Sequence, residues 1–354
     1  RVLRGRRVRF AVQDPPRGTG HALQMAERVL KSYKGPLLVL PGDAPLVRAA
    51  TLRDLLAKGH AVLTAVLEDP AGYGRVVRDA SGSVTSIVEE ANAASTTKRI
   101  REVNSGIYVF QAPGLWPLLK TVRPVRARRG WEIYLTDLLP ALAAQGVRVE
   151  GVPAADPAEI LGINTAEELA VVEAVVRRRF LSSLYEKGVH IADPSTTFIE
   201  TEVPIGKGTR IHPFTVIRRD VRIGKGCQVG PFAHLREGTV LEDGAEIGDF
   251  VETKHARMGR KAKAKHLAYL GDVTVGAKAN IGAGSIVANY DGKAKHPTVI
   301  GEGAFIGSGT VLVAPVRVGK GAMTGAGSVV TRNHDVPAGT VVAGVPARPL
   351  RRKP

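Results

Sequence analysis

Cysteine is almost missing from this chain of 354 residues: the one present, Cys227, rules out an intrachain disulfide and points to a reducing, cytoplasmic compartment. Aromatic residues are scarce at 5%, which disfavours a core built on bulky rings. No apolar run approaches the roughly 18 residues that a membrane span requires, so membrane insertion is not expected. Acidic residues are also in deficit, 33 against 50 Lys and Arg, for a formal net charge of +17. A positive field of that size suits nucleic acid or small polyanions. The basic clusters at 123–129 and 177–179 lack interleaved aromatics, and no helix-turn-helix, zinc-finger or RNA-binding signature is visible. Nucleic acid is therefore the less favoured partner, and nucleotide or sugar-phosphate ligands would use the same positive field. A leader is wanting too, since the chain opens on Arg1 and runs directly into a strand-like segment, which reads as a piece of a longer chain.

What is abundant is glycine, 40 residues of 354, a share that favours tight repetitive turns. The length implies two or three domains, and two periodicities divide the chain. Up to about residue 164, short apolar runs such as PLLVLPGD and AVLTAVL alternate with helix-like stretches, the pattern of an open α/β sheet. Ligands of such sheets lie beyond the carboxyl ends of the strands, where Asp43 follows PLLVLPG; capping the next turn is its bland alternative. Residues 165–190 read as a connecting amphipathic helix, with Leu169, Val172, Val175, Val176 and Phe180 on one stripe. From 191 to 354 an aliphatic recurs at every sixth position, from Ile205 through Ile211, Ile217, Ile223, Val229, Leu235 and Leu241 to Ile247. The register returns at Ile300, Ile306, Leu312 and Val318, misses at Thr324, and resumes at Val330, Val336 and Val342. Three such repeats make one flat-sided coil, and stacked coils bury a continuous aliphatic column as a β-helix.

Two segments interrupt that register, VETKHARMGRKAKAKHLAYLG and NYDGKAKHPT, and both are expected to leave the coil as functional loops. The first contains His266, with Lys254, Lys265 and Tyr269 close in sequence and Glu252 available as a carboxylate. A histidine suits removal of a proton from an attacking amine, although a histidine without context is more often structural or merely exposed.

The strings GPFAHLREG, GDFVETK, KHLAYLGD, NIGAGSIVANYDG and FIGSGT supply that context. Together they resemble the bifunctional N-acetylglucosamine-1-phosphate uridylyltransferase / glucosamine-1-phosphate N-acetyltransferase family, over nearly the whole chain. The resemblance implies a Rossmann-like α/β nucleotidyltransferase, lacking its first βα unit and phosphate loop, followed by a left-handed parallel β-helix of hexapeptide repeats. It implies acetyl transfer from acetyl-CoA to glucosamine 1-phosphate and uridylyl transfer from UTP to N-acetylglucosamine 1-phosphate. His266 would be the general base and Glu252 its electrostatic partner. Arg236, Lys254, Tyr269, Asn280 and Lys295 would hold the sugar phosphate. Acetyl-CoA would meet Ala283, Asn289, Tyr290, Ser308 and Ala326. In the first half, Gln13, Gly18, Thr19, Gly42, Gly74, Glu89 and Asn104 would bind UDP-N-acetylglucosamine, and Asp43 with Asn164 would hold Mg2+. A homotrimer is expected, with His266 and the loop from Asn289 to Lys295 meeting from different chains. Two alternatives stay open: a sugar-nucleotide pyrophosphorylase with a purely structural or regulatory β-helix, and a basic nucleic-acid scaffold whose binding would fall steeply with salt.

Overall fold

The computed structural model describes residues 8–127 and 130–350, which fall into two compact units divided after Glu173. In the first, the apolar runs become strands β1 (Pro36–Val39) and β2 (Ala61–Val66), the latter buried at every position but its last. The sequence Arg75 to Val88 forms a hairpin of β3 (Arg75–Arg78) and β4 (Val84–Val88). The long strand β5 (Glu102–Gln111) pairs antiparallel with β2 along one edge and with β1 and β3 along the other. Glu150–Pro153 adds a parallel strand beyond β2. Helices Thr19–Leu30, Ala112–Leu119 and Leu138–Ala144 contribute Leu23, Trp116, Leu139 and Leu142 to a cluster with Val62, Tyr108 and Phe110.

An ion pair sits under the hairpin. The Arg75 guanidinium is almost wholly buried, donates to the Tyr73 carbonyl and meets the Glu90 carboxylate at 2.6 Å. Removing one partner of a buried pair strands the other charge away from water. Glu90→Ala is therefore expected to lower the unfolding free energy of this unit by about 3 kcal/mol. Both tryptophans, Trp116 and Trp131, lie in this unit, so the denaturant midpoint followed by their fluorescence reads it selectively. An unshifted midpoint would show that water reaches Arg75 after all.

The helix Ala166–Glu186 contains the division between units, and the second unit continues into a parallel β-solenoid whose first strand is His190–Ile191. Its three sheets are here called I, starting at His190–Ile191; II, starting at Phe198–Ile199; and III, starting at Arg222–Ile223. Successive strands of a sheet lie one coil apart, as Phe198 pairs with Val216 and Val216 with His234, eighteen residues further each time. The sixfold aliphatics all point inward and are buried. The register miss at Thr324 is satisfied by hydrogen bonding, because its hydroxyl accepts from the Gly307 N–H at 2.9 Å and pairs with the Thr310 hydroxyl at 2.9 Å.

One expectation is corrected. The segment 251–271 does not leave the coil: it supplies strands Glu252–Lys254, Arg257–Met258, Lys263–His266 and Tyr269–Gly271 to the three sheets in turn. The apparent interruption has two causes. Inward positions are filled by Thr253, Met258 and Ala264 in place of Ile or Val, all of them buried. Twice, moreover, the corner between sheets II and III is one residue short, so that Thr253 is followed inward by Met258 and Leu270 by Val275. His255 and Asp272 make these shortened corners with positive φ angles of 46° and 49°. Of the two segments, only the second departs from the coil, at the same corner one coil later and over 289–297, since Thr298 is already paired with Val273 in sheet III.

Candidate functional site

The outer surface of sheet II collects the charged residues singled out above. Strand neighbours in adjacent coils run His234, Glu252, Tyr269, so their side chains share one face. Arg236 donates to Glu252 at 2.7 Å, which keeps that guanidinium firmly charged and fixes its direction. Glu252, implied by resemblance as the partner of His266, is thus bonded within this chain to Arg236. Lys254 stands at the far end of the same strand, and its pKa is lowered first by the charge of Lys295 beside it and further by that of Arg236. Three cations crowded at one end of a face make a place that an anion, and above all a phosphate dianion, would relax. A cleft of about 550 Å³ lined by Arg218, His234 and Arg236 continues the surface one coil back.

His266 lies at the opposite edge of that face, on the corner from sheet I to sheet II. It is exposed and in strand register with Asp249. The position one coil on is Ala283, and Gly282, Gly307 and Gly325 carry the column forward to Ser308 and Ala326, with backbones so close that a Cβ on Gly282 would lie 2.5 Å from Ser308 N. The next residue along the same corner has positive φ in seven successive coils, and its occupant changes abruptly. In the earlier coils it is Phe214, Phe232, Phe250 and Leu267, all exposed, the three rings stacked with centroids 4.8 and 5.1 Å apart. In the later coils it is Gly284, Gly309 and Gly327. A bulky ridge therefore gives way, just past His266, to a groove floored by small residues.

The remaining acetyl-transfer candidates distribute unevenly. Asn280 faces out from sheet I between Lys263 and Phe305, not from sheet II with Arg236. Tyr290 is exposed on the excursion, with its hydroxyl donating to the Gly292 carbonyl at 2.7 Å. Asn289 is buried, and its amide donates to the Asp272 carboxylate, rooting the excursion on the shortened corner.

In the first unit, β5 explains how EVNSGIYVF builds a site. Its register against β2 slips by two residues around Ser105 and Gly106, the latter at φ 78°. The slip turns Asn104 so that its carbonyl oxygen accepts from the Gly106 N–H and the Tyr108 hydroxyl, both at 3.0 Å, which leaves the amide to donate elsewhere. A cavity of about 570 Å³ opens there, lined by Thr19, Leu23, Pro41, Glu89, Asn104 and Tyr108 among others. Burial, with Asp137 adding repulsion, raises the Glu89 pKa. Gly74 faces that carboxylate, since a Cβ there would lie 3.3 Å from Glu89 Oε2. Gln13 donates to the Gly18 carbonyl at 2.9 Å. Gly18, at φ 88°, passes so near the Ile133 carbonyl that no Cβ fits, and the Thr19 hydroxyl accepts from Leu135 N–H at 3.0 Å.

Asp43, with Gly42 open beside it, meets the second metal candidate through backbone: Ile163 N–H donates to the Asp43 carbonyl at 3.0 Å, next to Asn164. Asn164 is held by Glu168, whose carboxylate accepts from Asn164 N–H at 2.6 Å and Thr165 N–H at 2.8 Å while Glu168 N–H donates to the Thr165 hydroxyl. This is the reciprocal cap of a helix start, and T-x-x-E in the sequence signals it. Among the described residues no group of three or more His, Cys, Asp or Glu side chains could hold a metal. One carboxylate and one amide fit a Mg2+ that takes its other ligands from phosphates and water. Besides Glu168, sequence reasoning missed Asp249, whose place beside His266 emerges only from the coil register, and the Asp272, Asp291 and Arg332 contacts that root the excursion.

Residues 4–153 match the family model for nucleotidyl transferases, and residues 202–235, 220–255 and 297–332 match that for bacterial transferase hexapeptide repeats. The bifunctional protein GlmU of Pelotomaculum thermopropionicum is 44% identical over 87% of this chain and 76% of its own length. That of Alkalilimnicola ehrlichii is 44% identical over 94% of this chain and 80% of its own. That of Anaeromyxobacter sp. strain Fw109-5 is 43% identical over 89% and 72%.

Proposed function

Because the chain belongs to the family of the bifunctional protein GlmU, we propose that it makes UDP-N-acetylglucosamine for cell-envelope synthesis in two steps, one per unit. In the solenoid, acetyl passes from acetyl-CoA to the amine of glucosamine 1-phosphate. Arg236, Lys254 and Lys295 hold the phosphate and Tyr269 meets the sugar, while Asn280, which faces out from sheet I, reaches the sugar from a neighbouring chain of the assembly. The thioester lies along the corner groove of Ala283, Ser308 and Ala326, flanked by Asn289 and Tyr290. His266 takes the proton from the amine as nitrogen attacks the thioester carbonyl, the C–N bond forms, the C–S bond breaks, and the departing thiolate is protonated. Glu252 acts by keeping Arg236 in place. The observation that carries this reading is the convergence of Arg236, Lys254 and Lys295 at one end of a face whose other end is His266 and the groove.

In the first unit, the same sugar, now N-acetylated, receives uridylyl from UTP, with release of pyrophosphate. Gln13, Gly18 and Thr19 face the uracil; Gly42, Gly74, Glu89 and Asn104 line the sugar pocket. Mg2+, when bound at Asp43 and Asn164, neutralises charge on the phosphates. The single cysteine favours a reducing cytoplasmic compartment, and among the described residues no helix is long and apolar enough to cross a membrane. A homotrimer is supported by the exposed Phe214, Phe232, Phe250 and Leu267 ridge, which water covers poorly.

Coenzyme A release with acetyl-CoA and glucosamine 1-phosphate tests the solenoid reading. The chain should release it, and Lys254→Ala should raise the KM for the sugar phosphate by roughly 10- to 100-fold, the worth of a charge-assisted phosphate contact. An unmoved KM would remove Lys254 from the phosphate site, and a well-folded chain that releases no coenzyme A would overturn the reading.

A further inference from the structure

The excursion 289–297 is folded around one carboxylate. Asp291 accepts from Lys293 N–H at 2.9 Å, Ala294 N–H at 2.8 Å and the His296 ring at 2.7 Å, and from Arg332 Nη2 at 3.0 Å. Arg332 belongs to a later coil and is itself fixed, because its Nε donates to the Ala314 carbonyl at 3.1 Å. Tyr290 and Lys295 face each other across an antiparallel bridge, and His296 N–H returns to the Asn289 carbonyl at 2.8 Å, closing the excursion at its base. Lys295, at the end of that bridge, is the residue whose charge acts on Lys254.

We propose that Asp291 is a positioning residue: it makes the excursion one rigid unit, so that Tyr290 on the acetyl-CoA side and Lys295 on the sugar-phosphate side are placed together, and Arg332 latches that unit to the coils. The inference rests on the assignment of Tyr290 and Lys295 given under the proposed function. A four-donor carboxylate tied to a fixed guanidinium is far more than a nine-residue excursion needs to avoid collapse, but it is what holding two subsites in register would need. An alanine or asparagine at 291 leaves the excursion without its charged hub and frees Lys295 to swing. Displacement of a binding group by about 1 Å is enough to cost as much as 10²-fold.

The experiment is steady-state coenzyme A release by the full chain carrying Lys295→Ala, Asp291→Asn, both, or Arg332→Gln. Asp291→Asn is expected to raise the KM for glucosamine 1-phosphate and for acetyl-CoA together by roughly 10- to 100-fold, with kcat changed less. The double variant should be no worse than Lys295→Ala in the sugar-phosphate KM, since Asp291 acts there through Lys295. Arg332→Gln, which spares the bonds inside the excursion and cuts only the latch, should move both KM values the same way by less, with an unchanged thermal midpoint. If Lys295→Ala raises the sugar-phosphate KM while Asp291→Asn leaves both values alone, or if the two substitutions add, the positioning role is wrong. If Lys295→Ala itself has no effect, the phosphate assignment fails and the inference falls with it.

Discussion

Replacing His266 with Ala should lower kcat for acetyl transfer by roughly 10²- to 10⁴-fold, the usual worth of a positioned general base, with the KM for both substrates nearly unchanged. The expectation follows from where the residue stands. It is exposed, so its removal opens no cavity and should leave the thermal midpoint where it was. It is level with Asp249 in the coil before and Ala283 in the coil after, at the edge between the cationic face and the small-residue groove. No cation that holds phosphate is touched by the change, which is why binding should persist while the chemistry does not. Turnover at saturating substrate decides the matter: a kcat within a few-fold of wild type would require the proton to leave by another route.

The second large effect concerns the groove. Gly309→Phe should raise the KM for acetyl-CoA by roughly 100-fold or more, by removing both the groove and the contacts along it, while the solenoid stays folded. Ordinarily a bulky residue at φ 69° would be a poor choice. This corner is unusual, since Phe214, Phe232 and Phe250 occupy the equivalent position at φ 56°, 51° and 54°. A Cβ on Gly309 would also meet only the Gly327 backbone at 3.7 Å, an ordinary contact. The substitution in effect extends the ridge into the groove. Strain of about 1–2 kcal/mol is the expected stability cost. Circular dichroism with a binding isotherm for coenzyme A separates the outcomes, and undiminished binding by a folded variant would move the acyl donor off this corner.

Much of this architecture could be read from the amino acids because a solenoid turns periodicity directly into position. Each sixth residue from Ile205 to Ile247 and from Ile300 to Val342 faces the interior, and one polar misfit, Thr324, is accommodated by hydroxyl bonds without altering the count. The stretch 251–271 was misread for a physical reason. A coil closed by a five-residue side shifts the register by one, and alanine or threonine facing inward carries no hydropathy signal, so continuity looks like interruption. The loop that does exist is visible because twelve residues separate Val287 from Ile300, too many for one side. Of the site, the residue types were legible and their pairings were not. Which carboxylate Arg236 meets, or that Asn280 faces a different direction from Tyr269, depends on which sheet each strand joins. In the first unit, the Ser105–Gly106 bulge that aims Asn104 is a property of pairing and leaves only a glycine as its trace.

The stacked coils also set a ruler. Neighbouring strands lie about 4.8 Å apart, so each coil added or removed shifts everything beyond it by that step. The phosphate end of the site draws on three of four successive coils, Arg236 in the first, Lys254 in the second and Lys295 in the fourth. A duplicated coil inserted between Arg236 and Lys295 would pull the guanidinium and the ammonium groups beyond the span of one phosphate. The same insertion ahead of Phe198 would lengthen the prism and leave every distance within the site as it was. The site therefore tolerates an added coil at the leading end of the prism and not in its middle.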